Sequence, residues 1–467
     1  MRRPRLGSIP LSILIGLSWN SGQAAQLPQV APGVVQGSIA AQEESPGSPS
    51  PGTSGGQEVR RLSLEDCLRL ALRQNSDVLL ARQTVVQANA DITRTRSASL
   101  PFLGTENTYS RLDKALEFSF GPQSFTFMYP DIYRAGVVVR QPLYTGGRLN
   151  AAYQASRNSR DERVQETRSV EEEILFQVAR AYRAAQVAAE FQKVTSEGVS
   201  LLEAHEHDVA ILVREGENPQ IDLLRTRTEL ANARKDLNVA NNAVDLALSA
   251  LKNLVGIGLE EPVVLTEPFD RSSRPPEELP TLTQSALSKR PELSALRSRR
   301  EAVGYAVKAA KGEYLPTVAV GGRYEYMKGD IRDLPGGPHW TLAVTAEMPV
   351  WNWGETRAKV KKAESQVEQV SIQIRKTEDA IRLEVRQAFL ELGKAEKNID
   401  ASAAGLTTAE ESFRLTRASY QAGEGTNTEV LDARTALSRA RANYAQALFD
   451  YDVALAALRR ATGESTR

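Results

Sequence analysis

The sequence predicts an elongated, mainly α-helical protein that carries a few membrane-type β-strands and is built twice from one unit. Three observations carry this reading. First, Pro349 is the last of 22 prolines, and beyond it small or apolar residues recur in a 3,4 spacing: Val360, Ala363, Val367, Val370, Ile374, Thr377, Ile381, Val385, Ala388, Leu392, Ala395 and Ile399. One slip, a four after a four at Val385, makes this a heptad seam with a single stutter. A helix over 354–421 rises ~1.5 Å per residue and reaches roughly 100 Å, too long for an ordinary globular core to cover. Second, a matching proline-free stretch runs from Leu143 to Asn218. Third, the second half of the chain repeats the first.

In chain order, Arg2, Arg3 and Arg5 precede a short apolar run, Leu11 to Trp19, and small residues at Ala24-Ala25. This is the pattern of a secretory signal peptide over 1–25, and the run is shorter than the ~18 residues of a spanning helix. Residues 26–58, rich in Pro, Gly and Ser, cannot bury enough apolar surface to order themselves and read as a disordered leader. Ser63 and Asp66 cap a short helix, and Ser76 to Ser99 forms a second. Residues 102–112 form a weak strand. An aromatic-rich loop follows over Phe118 to Tyr129, then a strand in which Tyr133, Ala135, Val137 and Val139 alternate with Arg134, Gly136, Val138 and Arg140. Pro142 breaks that strand and Gly146-Gly147 starts the first rod. Residues 216–219 make a turn, and a return helix covers about 221–255. The five prolines of 257–283 mark a linker.

The repetition is explicit. Leu315-Pro316 answers Leu100-Pro101, Pro349 answers Pro142, Gly354 answers Gly147, and Glu429-Val430-Leu431-Asp432 answers Asp222-Leu223-Leu224-Arg225. The chain therefore divides into a first repeat (59–256), the linker (257–283) and a second repeat (284–467). In the second hairpin, Val318, Val320, Tyr324 and Tyr326, then Trp340, Leu342, Val344 and Ala346, alternate with polar or small residues. That is the signature of a barrel strand facing lipid on one side, although a half-buried soluble sheet alternates in the same way. Four strands cannot close a barrel, and an open edge is prohibitive in lipid, so the membrane reading requires several copies.

Composition excludes several functions. With 58 basic and 58 acidic residues the chain is neutral, and no basic stripe interleaved with aromatics points to nucleic acid. The single cysteine, Cys67, precludes an intrachain disulfide and reads as a small buried hydrophobe. His205 and His207 point to different helix faces and read as surface residues; His339 begins a strand. No nucleophile–base set, phosphate-cradling loop or clustered metal ligands appear, so neither an enzyme nor a cofactor is expected.

The doubled layout resembles the TolC family of outer-membrane efflux and secretion channels. So do the strand-to-helix transitions, Gln141-Pro142-Leu143-Tyr144-Thr145-Gly146-Gly147-Arg148 and Met348-Pro349-Val350-Trp351-Asn352-Trp353-Gly354-Glu355, and the turn Ala422-Gly423-Glu424-Gly425-Thr426-Asn427. The resemblance covers about Leu62 to Gly463. It implies a homotrimer in which each protomer lends four strands to a shared twelve-stranded barrel in outer-membrane lipid and long antiparallel helices to a periplasmic α-barrel. It also implies an exit duct for substrates, docked through a periplasmic adaptor onto an inner-membrane pump of the RND or ABC type. The alternative function is a periplasmic coiled-coil scaffold or adaptor without a pore.

By the same resemblance, the tip residues Gly216, Glu217, Asn218, Gly423, Glu424 and Gly425 face the adaptor; otherwise they are only turns, where Gly and Asn supply positive φ. Glu429 and Asp432 match the acidic constriction of similar channels. They lie three apart on one helix face, and threefold copying would make carboxylate rings that favour cations; the plainer reading is a solvated face. Asp222 and Arg225 are their first-repeat counterparts, and the inverted charge at Arg225 suggests pairing with a neighbour's carboxylate. The family's basic residue after the tip glycine is absent, since Gly425 stands there. Pro142, Gly147, Pro349 and Gly354 mark the strand-to-helix transitions.

Overall fold

The computed structural model describes residues 59–270, 278–328 and 337–464. The predicted signal peptide and leader lie outside these residues.

Strand β1 (Arg60–Leu62) leads into α1 (Leu64–Gln74) and α2 (Ser76–Ser97). Ser63 caps α1 reciprocally: its hydroxyl accepts from the Asp66 N–H (3.1 Å), and the Asp66 carboxylate accepts from the Ser63 N–H (3.3 Å). Asn75 closes α1 and caps α2, accepting from the N–H groups of Asp77 and Val78. Strands β2 (Phe102–Arg111), β3 (Leu116–Phe120), β4 (Gln123–Met128) and β5 (Asp131–Thr145) follow, then the 68-residue helix α3 (Arg148–Glu215) and α4 (Gln220–Val255). After β6 (Val263–Leu265) the same order returns as α5 (Leu279–Lys289), α6 (Pro291–Lys311), β7 (Thr317–Lys328), β8 (Gly337–Glu347), the 67-residue α7 (Glu355–Gln421) and α8 (Asn427–Thr462).

Three sequence expectations need correction. The Phe118–Tyr129 loop is instead part of the antiparallel hairpin β3–β4, turning at Gly121-Pro122, where Gly121 takes φ +63°. Pro142 does not break β5. The register shifts between Pro142 and Tyr144, so the strand passes its missing donor through a bulge and continues to Thr145. The 257–283 linker holds β6, which pairs in parallel with β1, and α5 begins inside it at Leu279.

The main sheet has the order β2-β5-β7-β8, antiparallel throughout. Residues directly opposite one another share a face. One face therefore carries the rows Thr105–Val137–Tyr324–Trp340 and Leu103–Val139–Gly322–Leu342, while the other carries Glu106–Gly136–Glu325–His339. Arg323 bridges Glu106 (2.9 Å) and Glu325 (3.2 Å) on that polar face. Gly136 is required there, because a Cβ would lie 2.6 Å from that of Glu325. A half-buried soluble sheet would hide its apolar side, yet Trp340, Leu342 and Val344 are 76%, 67% and 68% exposed.

The two largest cores sit midway along the rods. Leu68, Ala71, Val78, Ile174, Val178, Tyr182, Leu251 and Val255 form one; Leu282, Ala286, Leu293, Val370, Ile374, Ile381, Val385 and Leu458 form its second-repeat counterpart. Complete burial of each such aliphatic contributes about 1.5–3 kcal/mol. The stutter residues Ile381 and Val385 thus lie where α5, α6 and the end of α8 pack on α7. Cys67 is fully buried, and burial pushes its thiol up to about 12, which leaves it inert. Arg290 is buried against Glu384 and Glu292, and Arg183 pairs with Asp452 (3.0 Å) between α3 and α8.

At the strand-to-helix transitions, Gly147 (φ +79°) and Gly354 (φ +86°) precede α3 and α7 in the left-handed region. Trp353 takes φ +54°, where its first-repeat counterpart Gly146 takes +62°. Gly146 meets Gly312, at the end of α6, backbone to backbone; a Cβ on either would collide with the other's carbonyl oxygen.

Candidate functional site

Each rod turns back at a glycine. Gly216 (φ +80°) ends α3, with the Glu217 N–H returning to the Leu212 carbonyl (2.9 Å); Gly423 (φ +78°) ends the α7 turn, with the Glu424 N–H returning to the Ser419 carbonyl (3.0 Å). These are Schellman-type closures, in which glycine avoids the Cβ penalty. Thr426 then caps α8 in a capping box with Glu429: Thr426 N–H donates to the Glu429 carboxylate at 2.9 Å, and Glu429 N–H donates to the Thr426 hydroxyl at 3.3 Å.

The two turns are joined at one end of the molecule. Asn427, 3% exposed, is the centre: its amide donates to the Asp222 carbonyl and shares a hydrogen bond with Thr226 (both 3.3 Å), and its carbonyl oxygen lies 2.7 Å from His205 Nε2. Asn218 donates to the Tyr420 hydroxyl (2.9 Å), and the His205 ring meets Tyr420 edge-on at 5.3 Å. Burial pushes the Tyr420 phenol up, with the Asn218 hydrogen bond opposing. Helices α3, α4, α7 and α8 are thereby tied together by polar contacts within one small cluster.

The expected residues fall around this cluster. Glu217, Gly423 and Glu424 are exposed at the turns, Asn218 and Gly425 half-buried. A Cβ on Gly425 would press against the Tyr420 backbone nitrogen at 3.0 Å. Glu429 and Asp432 are exposed on one face of α8, Glu429 with its carboxylate engaged in the cap. Asp222 is half-buried. Arg225 is exposed and reaches the Thr428 hydroxyl at 3.5 Å, a weak contact within its own chain. His205 corrects the surface assignment: it is half-buried and bonded to Asn427, whereas His207 is exposed. Sequence reasoning placed Asn427 only as the end of the turn motif, with no structural role, and gave Thr226 none. Among the described residues, no three His, Cys, Asp or Glu side chains gather as a metal site, and no helix is long and apolar enough to cross a membrane.

The model of the family described as "Outer membrane efflux protein" matches residues 67–257 and 282–464. The chain belongs to this family. It is an outer-membrane efflux channel, and the family's pattern disfavours a pore-less scaffold. Its localisation is the outer membrane, with a large periplasmic helical extension. Similar proteins include the outer membrane efflux protein BepC of Brucella suis, 24% identical over 334 residues, covering 71% of this chain and 72% of that protein. The outer membrane protein TolC of Vibrio cholerae is 22% identical over 383 residues, covering 80% and 84%. Among solved structures, those of CusC share the fold at a TM-score of 0.74 and 22% identity over 86% of this chain and 92% of that one. VceC from Vibrio cholerae does so at 0.72 and 17%, over 86% and 97%. Such relatives are channels rather than enzymes, and family members act as the outer-membrane part of efflux and secretion systems.

Proposed function

We propose that three copies of the chain close into one conduit. Each contributes β2-β5-β7-β8 to a shared twelve-stranded barrel and its helices to a periplasmic tube. The observation that carries this is the open sheet. Its edges, β2 and β8, hold unpaired backbone groups, and its apolar face lies uncovered. In lipid, every backbone group must be satisfied, which only closure achieves. Known single-chain barrels begin at about eight strands, so four per chain call for joined copies. Rods of 68 and 67 residues give roughly 100 Å of reach toward an inner-membrane partner.

In this reading the joined turns form the inner mouth. Glu429, Asp432 and Asp222, copied threefold, ring the constriction, and Arg225 pairs with a neighbour's carboxylate to hold it closed. Gly216, Glu217, Asn218, Gly423, Glu424 and Gly425 receive a periplasmic adaptor, which links the channel to an RND- or ABC-type pump. Relatives named for pyoverdine export, alkaline protease secretion and cation efflux share this scaffold, which supports a duct whose cargo the pump selects.

The deciding experiment measures the mass of the detergent-solubilised mature protein by light scattering, and its conductance in planar bilayers. A trimer with ohmic single-channel steps is expected. A stable monomer that needs no detergent overturns the conduit.

A further inference from the structure

Where the two repeats join, one ring of polar contacts passes through four helices. On α3, Glu173 pairs with Arg460 of α8 (2.7 Å), and Arg460 reaches Glu384 of α7 (3.4 Å). Glu384 accepts from Arg290, the residue before α6, and Arg290 turns back to Glu292 in the first turn of α6 (3.4 Å). The Ser169 hydroxyl donates to Glu292 Oε1 at 3.2 Å and returns the ring to α3. Arg290 is the enclosed member, with its side chain 5% exposed.

Charge does not balance in this ring. Glu172 of α3 stands beside it, half-buried, and among the described residues makes no hydrogen bond or ion pair. Glu172, Glu173, Glu292 and Glu384 therefore share the guanidiniums of Arg290 and Arg460, while Arg168 adds its charge from a distance. Glu292 Oε2 is buried and accepts no hydrogen bond. Neighbouring carboxylates that outnumber their cations in a half-buried place favour holding a proton. Burial and the Glu292 charge accordingly push the Glu172 carboxyl up, with Arg290, Arg460 and Arg168 opposing.

The first-repeat positions that answer Arg290, Glu384 and Arg460 hold Asn75, Gln177 and Asn253, none of them charged. Asn75 is satisfied there by donating to the Leu254 carbonyl at 2.9 Å. The surplus of acid thus belongs to the junction between the repeats and not to the doubled unit as such.

We infer that this ring is a proton-operated clasp: one proton taken up by the Glu172–Glu292 pair tightens the hold of α3 on α6, α7 and α8, and its loss loosens that hold. The clasp lies within a single chain and does not rest on the joining of copies. A carboxyl raised in the folded state adds stability at the acid end, and that stability goes as pH climbs through the raised value. Below the ordinary carboxylate range, near pH 4, paired acids take protons as well and ion pairs are lost, so the clasp operates between about pH 5 and pH 8.

The test is amide hydrogen exchange of the full, detergent-solubilised chain across that window, with rates corrected for the intrinsic pH dependence of exchange. Peptides over 165–180, 288–298 and 380–390 should lose about fivefold or more in protection from the acid to the alkaline end, since each unit by which a carboxyl is raised is worth about tenfold. Peptides over 68–80 and 248–256, at the uncharged first-repeat junction, should not change. Glu172→Gln holds the position neutral, so it should flatten the profile and keep the acid-end protection throughout. Should that variant fail to accumulate, Glu292→Gln relieves the pair instead, and the pH at which protection falls should drop. A flat profile in the unaltered chain, a fall shared equally by the first-repeat peptides, or variants whose profiles follow the unaltered chain overturns the clasp.

Discussion

Replacing Asn427 with Ala tests whether the polar cluster at the turns is what holds the two hairpins together. The amide has one well-formed contact, to His205 at 2.7 Å, and two longer ones, to the Asp222 carbonyl and Thr226 at 3.3 Å. A net hydrogen bond contributes about 1 kcal/mol, and long ones less, so their loss removes about 2 kcal/mol of attachment. Thr226 is not orphaned, because its hydroxyl still donates to the Asp222 carbonyl at 2.9 Å. At tenfold per 1.4 kcal/mol, local opening becomes about thirtyfold more frequent. Amide hydrogen exchange followed by mass spectrometry reads this directly. Peptides over 200–210, 220–230 and 420–435 should lose about thirtyfold in protection, while those over 174–185 and 280–295 should not change. If the turn peptides keep their protection, or every part of the rods loses it equally, the cluster is not the tie.

Other expectations follow from the same geometry. Arg290→Ala strips the cation from Glu384 and Glu292, whose side chains are 38% and 33% exposed; that exposure lowers the expected cost to about 2 kcal/mol, read as a fall in melting temperature. Its pH dependence is fixed by Glu172, whose carboxyl is raised by burial and by Glu292. A carboxyl raised in the folded state costs stability as pH climbs from the ordinary range through its raised value. Removing Arg290 raises it further, so the variant's deficit should grow toward about pH 7 and shrink toward about pH 4. Gly136→Ala places a Cβ against Glu325 and should separate β5 from β7, seen as loss of the heat-modifiable form on gels. Arg225→Ser should raise single-channel conductance if Arg225 closes the mouth; unchanged planar-bilayer recordings remove that role.

The rods were readable because burial follows one heptad stripe: Ala363, Val370, Ile374, Ile381, Val385, Ala395 and Ile399 are buried where the 3,4 spacing placed them. The strands were readable because their alternation survives as two chemically distinct sheet faces. The β3–β4 hairpin is marked in the sequence only by the turn dipeptide Gly121-Pro122 between two strand-length segments. The polar cluster was beyond reach. His205 and Asn427 stand 222 positions apart, and which faces of α3 and α8 meet depends on how whole hairpins pack.

The meeting of Gly146 with Gly312 bears on how such channels come together. It fastens the first unit's strand exit to the second unit's short helix as soon as one chain folds. The corresponding joint on the other side would set Trp353 against the position of Ser97 in the next copy, and a bulky indole replaces the bare backbone there. A closed ring would then alternate two sorts of seam, one sealed during folding and one only on recruitment. In the proposed trimer, monomer maturation and ring closure would be separate steps, and a substitution at Gly312 should arrest the first, whereas one at Trp353 should arrest the second.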